Sequence, residues 1–315
     1  MKPYLTHLIL GTCSSNGIYY LGILRYLYIE KLLEHVKYIA GTSMGAYFCL
    51  VFAMKMPVEY IETYIANIFE HANTDAIRIS IENDRFRDFF KSNGFFNTDV
   101  MMAPLIEYMK NKYHEDDLTF REFVKKTGVN IYISCSCISD SKNKIFSAED
   151  TPDVSILDAV RASISMPFLF KPIVIDNKQY VDGVISDPLT PENIFCNVEN
   201  GQKLFINLSA TNHQLPPAVA PKGEEISFID FVVRILKIVY ASVTRCKCEY
   251  KEIHVLDVAD LKHKDVVRFY KGDNGKNIVE LNFAKSDLDN LVLQGFIDIT
   301  VYMNKRYKDN MLDIN

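Results

Sequence analysis

The sequence predicts an α/β fold: a mostly parallel central sheet with helices on both faces, three layers in all. Three observations carry this. Short apolar runs that suit buried strands alternate with longer stretches whose apolar residues recur at helical spacing. The pentapeptide Gly41-Thr42-Ser43-Met44-Gly45 joins one such run to one such stretch. At 315 residues, 48% hydrophobic and 24% charged, the chain can bury a sizeable core and lacks the composition of disorder.

In chain order, Leu5–Leu10 reads as a first strand and Gly11–Gly17 as a loop of small polar residues. Ile18–Leu33 follows as a helix, with Leu21, Leu24, Leu27 and Leu32 at helical spacing. Val36–Ala40 is a short strand. Ala46–Met54, too long for that strand and free of turn residues, is a buried helix. Such alternation makes βαβ units, which call for parallel strands and right-handed crossovers. Pro57 suits the first turn of a helix over Val58–Phe69. Residues 72–97 are charged and without period, and read as an inserted, lid-like region. Helices are expected at 98–112 and 118–126, a strand at Asn130–Ser136 and a short strand at Lys144–Ser147. A helix over Ser155–Ser163 stops before Pro167, and Lys171–Val181 reads as a hairpin turning at Asp176-Asn177. Lys203–Leu208 is a strand, and the prolines of 211–224 mark a loop. An apolar helix over Ile226–Tyr240, a strand near 253–257 and a helix at 286–307 complete the chain.

Composition narrows the chemistry. A formal net charge of −5 gives no broad attraction to nucleic acid. The pairs Cys135/Cys137 and Cys246/Cys248 lack zinc spacing, and no loop has the calcium pattern, so reduced thiols, no metal and no cofactor are expected. Met1–His7 holds no long apolar segment, and no uncharged apolar run reaches the roughly 18 residues of a spanning helix. A cytoplasmic protein, or one peripheral at membranes, is the expectation.

Strand, G-x-S-x-G and helix together form the arrangement of a nucleophile elbow, in which both glycines let strand and helix pack closely. The motif alone arises by chance in roughly one chain in ten of this length, so its flanks carry the inference. A serine hydroxyl needs a base within hydrogen-bond reach and donors for the developing oxyanion. The backbone N–H of Met44, at a helix start, is one such donor. Two routes to a base stay open from the residues alone. A triad would use His71, His114, His213, His254 or His263, none of which lies in a small-residue loop after a strand. A dyad would use Asp182, in Tyr180-Val181-Asp182-Gly183-Val184-Ile185, although Asp-Gly between apolar runs is equally a hairpin signal.

Four stretches in order resemble the patatin-like phospholipase family. They are Leu8–Gly11 through Gly17–Leu24, Ile39–Ala46 around Ser43, Asp158–Pro172 with its R-A-S…P…F…P pattern, and Tyr180–Gly183. The resemblance covers about residues 5–210, and the C-terminal third only through Leu293–Phe296. It implies a three-layer α/β/α fold and one catalytic domain over 1–315, with an insertion or lid near 72–97 and a less regular part at 211–315. It further implies Ser43 as nucleophile, Asp182 as general base, an oxyanion loop at Thr12, Cys13 and Ser14 working with Met44, and Gly17, Gly41, Gly45 and Gly183 as motif glycines. The implied activity is phospholipase A type hydrolysis of acyl esters of phospholipid or another lipid, through an acyl-serine and with peripheral membrane contact.

The chain also departs from the family. Thr12-Cys13-Ser14-Ser15-Asn16 stands where the family has glycines, a small residue and a cation. Glycine serves there for positive φ or close approach, and β-branched Thr12 tolerates positive φ badly. Val184 replaces Gly or Ala beside the aspartate. A relative that binds lipid or a protein partner without turnover is therefore the second reading, and a histidine-using esterase or thioesterase the third. Ile226–Tyr240 is apolar nearly all round, which suits a buried helix rather than an interfacial one. Phe86, Phe89, Phe90, Phe95, Phe96, Met101 and Met102 suit a lid or contact loop, with most of the rings in the core. No residue pattern speaks to oligomeric state.

Overall fold

The fold is a computed structural model that describes residues 5–13, 17–64, 79–81, 89, 91–187, 194–195, 197–198, 202–208, 235, 238–239, 255–257, 267–271, 277–281 and 285–312. The chain runs β1 (His7–Leu10), α1 (Tyr19–Ile29), β2 (Tyr38–Thr42), α2 (Met44–Ala53), a helical segment at 58–64, β3 (Ile79–Ile81) and β4 (Gly94–Phe96). It continues through α3 (Asp99–Tyr113), α4 (Phe120–Thr127), β5 (Asn130–Cys137), β6 (Lys142–Phe146), α5 (Ile156–Ile164), β7 (Phe168–Phe170), β8 (Ile173–Ile175) and β9 (Lys178–Asp182). A 3₁₀ turn (Gly183–Ile185), β10 (Lys203–Asn207), β11 (Val255–Asp257), β12 (Val267–Lys271), β13 (Asn277–Leu281) and α6 (Lys285–Leu312) follow.

The central sheet has the order β11-β10-β1-β2-β5-β9-β8, with β6 paired to β5. Its first five strands are parallel, and β6, β8 and β9 are antiparallel additions. Successive strand residues face opposite sides. Leu8, Leu10, Ile39, Ile131, Ile133, Leu204 and Ile206 accordingly join the larger core, with the apolar residues of α1 and α2. Ile9, Ala40, Tyr132 and Phe205 join a second core, with Phe195. Burial on both faces is what parallel strands require.

Strand β5 acts as a ruler for the site. On one edge it pairs with β6 over Ile133–Cys137. The other edge is shared. Its first half takes β2, ending with Thr42 level with Ser134. Its second half takes β9, with Asp182 level with Cys135. Because β2 runs parallel and β9 antiparallel to β5, their carboxyl ends meet head to head. Whatever follows Thr42 must therefore face Asp182.

Several boundaries differ from expectation. Strand β2 begins at Tyr38 and runs on into Gly41 and Thr42, and α1 stops at Ile29, before a turn with Lys31 at φ 57°. Strand β6 starts at Lys142, not Lys144. Within 72–97 lie two strands that the charge pattern hid: β3 pairs with β13, and β4 with β7. At three residues each they are too short to show a period. The β12–β13 hairpin was likewise not foreseen. The hairpin at Asp176-Asn177 forms as expected, both residues having the positive φ of a type I′ turn (49° and 61°). Of Ile226–Tyr240 only residues 235, 238 and 239 are described, and Ile235 and Ile238 are 43% and 58% exposed, against the buried helix expected. The loop at 211–224 lies outside the described residues. Among those described, no helix is long and apolar enough to cross a membrane.

Candidate active site

Ser43 is the hinge between β2 and α2, at φ 57° and ψ −133°. A residue with a side chain avoids this conformation, at a cost of about 1–3 kcal/mol, unless its surroundings hold it. Here they do. The Ser43 N–H donates to Ser163 Oγ at 2.9 Å, and Ser163 Oγ donates to the Ser134 carbonyl of β5 at 2.7 Å. Sequence reasoning gave Ser163 no role; its signal was a hydroxyl on the buried face of amphipathic α5. Ser163→Ala leaves the buried Ser43 N–H and Ser134 carbonyl without this partner. It is expected to cost about 1–3 kcal/mol in urea unfolding, with Ser163→Thr recovering part.

The Ser43 hydroxyl donates to Asp182 Oδ2 at 2.7 Å, across 139 residues of sequence. The other carboxylate oxygen accepts from the Val184 N–H at 2.9 Å. The Asp182 backbone is pinned on both sides, its N–H donating to the Ser165 carbonyl at 2.9 Å and its carbonyl accepting from Ser136 Oγ at 2.8 Å. Gly183 lies against β5 so closely that a Cβ there would come within 2.4 Å of the Ser134 carbonyl oxygen. Both polar residues are enclosed, Ser43 at 6% and Asp182 at 1% exposure. Burial pushes the Asp182 carboxyl up to about 7, against the downward pull of the hydrogen bonds from Val184 and Ser43. That value suits a group that takes and returns protons near neutral pH.

The loop after β1 closes on this pair. Thr12 and Cys13 are buried, and the Cys13 thiol is pushed well up, first by burial and then by the charge of Asp182. Tyr20 anchors the loop, its hydroxyl donating to the Gly11 carbonyl at 2.9 Å. Gly45 at the elbow touches the same stretch: a Cβ there would lie 2.2 Å from the Leu10 carbonyl oxygen and 2.5 Å from that of Gly11. Gly41 backs onto Cys49 and Ala46, and Gly17 onto Phe48, Cys13 and the Met44 side chain. The strain expected at Thr12 does not arise, since neither Thr12 nor Cys13 has a positive φ. Met44 opens α2, where backbone N–H groups have no intrahelical acceptor. Ser14 lies outside the described residues, as do His71, His213, His254 and His263. His114 is exposed at the carboxyl end of α3, its backbone left-handed at φ 61°. Among the described residues no group of His, Cys, Asp and Glu converges as a metal site.

Comparison with known proteins identifies the family of the chain. A family model described as patatin-like phospholipase matches residues 8–193, more than half of the chain. The chain belongs to the patatin-like phospholipase family. Relatives include "Probable lipid hydrolase 463L" of Invertebrate iridescent virus 6, 28% identical over 184 residues, which are 58% of this chain and 61% of that protein. Protein R571 of Acanthamoeba polyphaga mimivirus is 26% identical over 185 residues, 56% of this chain and 59% of that one. The chain thus spans about three-fifths of the length of these curated relatives. VipD from Legionella pneumophila has a similar fold, with a TM-score of 0.53 at 14% identity over 96% of this chain and 67% of that one. As a member of the patatin-like phospholipase family, the chain carries a mixed, mostly parallel sheet with helices.

Proposed function

We propose that this patatin-like chain is a serine acyl hydrolase of phospholipase A type that cleaves the acyl esters of lipids, with Ser43 as nucleophile and Asp182 as general base. The observation that supports this most is the 2.7 Å hydrogen bond from the Ser43 hydroxyl to a carboxylate raised towards neutrality. Ser43 Oγ attacks the ester carbonyl carbon as its proton passes to Asp182. Charge developing on the carbonyl oxygen is met by the Met44 N–H, the amino end of α2 and the backbone of the loop at Thr12 and Cys13. The C–O bond to the alcohol then breaks, the leaving oxygen takes the proton from Asp182, and an acyl-serine remains. Water attacks the acyl-serine with Asp182 again as base, releasing the fatty acid and restoring the Ser43 hydroxyl. The substrate is met at a membrane surface, by a protein that is peripheral there.

One feature favours a second reading, lipid or protein binding without turnover: Thr12 and Cys13 occupy a loop where the family has glycines. A fluorophosphonate probe separates the two. Stoichiometric labelling at Ser43, abolished in Ser43→Ala, is expected, together with release of fatty acid from a panel of phospholipid and neutral-lipid vesicles. A chain that stays unlabelled while folded is the outcome that defeats the hydrolase.

A further inference from the structure

We infer that Phe168, with the rings of Phe89 and Phe95, forms a ledge that receives the acyl chain of the substrate and sets chain-length preference; this rests on the hydrolase reading above. Phe168 has two properties that packing alone does not call for. Its φ is +68°, a backbone conformation that aromatic residues avoid. In exchange for that strain its ring is not buried but 43% exposed. Strain held in place without burial is a mark of a functional position.

The ring also lies at the right end of the molecule. Strand β8 is antiparallel to β9, with Ile173 level with Tyr180. The chain therefore enters β8 at the end of β9 that carries Asp182, the end at which β2 delivers Ser43, and just before it the Lys171 N–H donates to the Phe96 carbonyl of β4 at 2.9 Å. The Ser165 carbonyl accepts directly from the Asp182 N–H, and the Cα of Phe168, three residues on, lies within about 11 Å of that of Ser165. Strand β4 pairs with β7, Gly94 level with Phe168 and Phe96 with Phe170. Phe89 stacks on Phe95 at 4.5 Å and faces the Phe168 ring at 6.3 Å, both pairs near parallel. The result is an aromatic cluster whose exposed member is Phe168, backed by a partly buried Phe95 and a buried Phe89, and close to the backbone that holds Asp182. An alkyl chain leaving the ester carbonyl is the part of a lipid that such a surface suits.

The test compares monomeric p-nitrophenyl esters of two, eight and twelve acyl carbons. Phe168→Ala is expected to leave kcat/KM for the acetyl ester within about twofold and to lower it for the longer esters by about tenfold or more, the range of a hydrophobic subsite. Phe168→Gly relieves the φ strain, so it is expected to keep or raise Tm while losing the same long-chain preference. A structural ring gives the opposite: Tm falls and the ratio of long- to short-chain rates does not move, which overturns the inference. A variant that loses vesicle sedimentation but keeps its chain-length ratio also overturns it, by making the ledge a membrane contact. Failure of the underlying reading looks different, since wild type would then show neither ester cleavage nor fluorophosphonate labelling.

Discussion

Asp182→Asn is expected to lower kcat by about 10³-fold and to leave a folded protein. General acid–base catalysis contributes about 10²–10⁴-fold, and the substitution removes the proposed base while keeping its shape. Asparagine can still accept from the Val184 N–H through its amide oxygen. Its NH₂ group then faces Ser43 Oγ, reversing the hydrogen bond that now runs from serine to carboxylate at 2.7 Å, so the serine proton has no acceptor. On the proposed mechanism the same carboxylate sets the pH dependence of wild type. With its pKa at about 7, only the ionised form takes the proton, so kcat should rise through neutrality with rising pH. Stability moves the other way. The folded state holds its proton up to about 7 and the unfolded state only to near 3.8, so the folded protein binds more protons between these values. Stability is therefore greatest below that window and lost as pH rises through it, by an amount on the order of a few kcal/mol. Asp182→Asn has no charge to bury. It should exceed wild type in urea midpoint at pH 8 and converge with it near pH 4. Retained turnover in a folded Asp182→Asn protein would remove Asp182 from the mechanism.

Much of this arrangement was legible before the structure, and the reasons are physical. The elbow announces itself because strand, G-x-S-x-G and helix are contiguous, and α2 starts at Met44. The type I′ hairpin at Asp176-Asn177 was readable because few residues accept two positive φ values in succession. Asp182 was ambiguous from its neighbours alone, since Asp-Gly after a strand serves a turn as well as a base. What places it opposite Ser43 is a register, Thr42 beside Ser134 and Asp182 beside Cys135, and registers between distant strands leave no trace in local pattern. Ser163 was hidden for a related reason, because a buried hydroxyl on a helix shows its partners only after the helix has docked. Strands β3 and β4 are too short for any periodicity and exist through their partners β13 and β7.

Gly45→Ala is expected to cost about 3 kcal/mol or more and to lower kcat in the surviving folded protein by about 10²-fold. The added methyl would lie 2.2 Å and 2.5 Å from the carbonyl oxygens of Leu10 and Gly11. Overpacking against movable side chains costs about 1–3 kcal/mol, but these are backbone atoms of a central strand and cannot rotate away. Relief comes only if the end of β1 and the loop at Thr12 and Cys13 move off the elbow. That motion separates the proposed oxyanion donors of the loop from Ser43, and loss of one such donor costs about 10²–10³-fold in rate. Gly128→Ala is the control. Gly128 has φ +72° and nothing within 4 Å of where a methyl would sit, so its substitution should cost about 1–2 kcal/mol of backbone strain and leave kcat unchanged. Urea midpoints and single-turnover acylation rates for the two variants separate conformational cost from spatial cost. Equal effects at the two positions would mean that the elbow tolerates distance from β1, and that the loop behind it takes no part in binding the oxyanion.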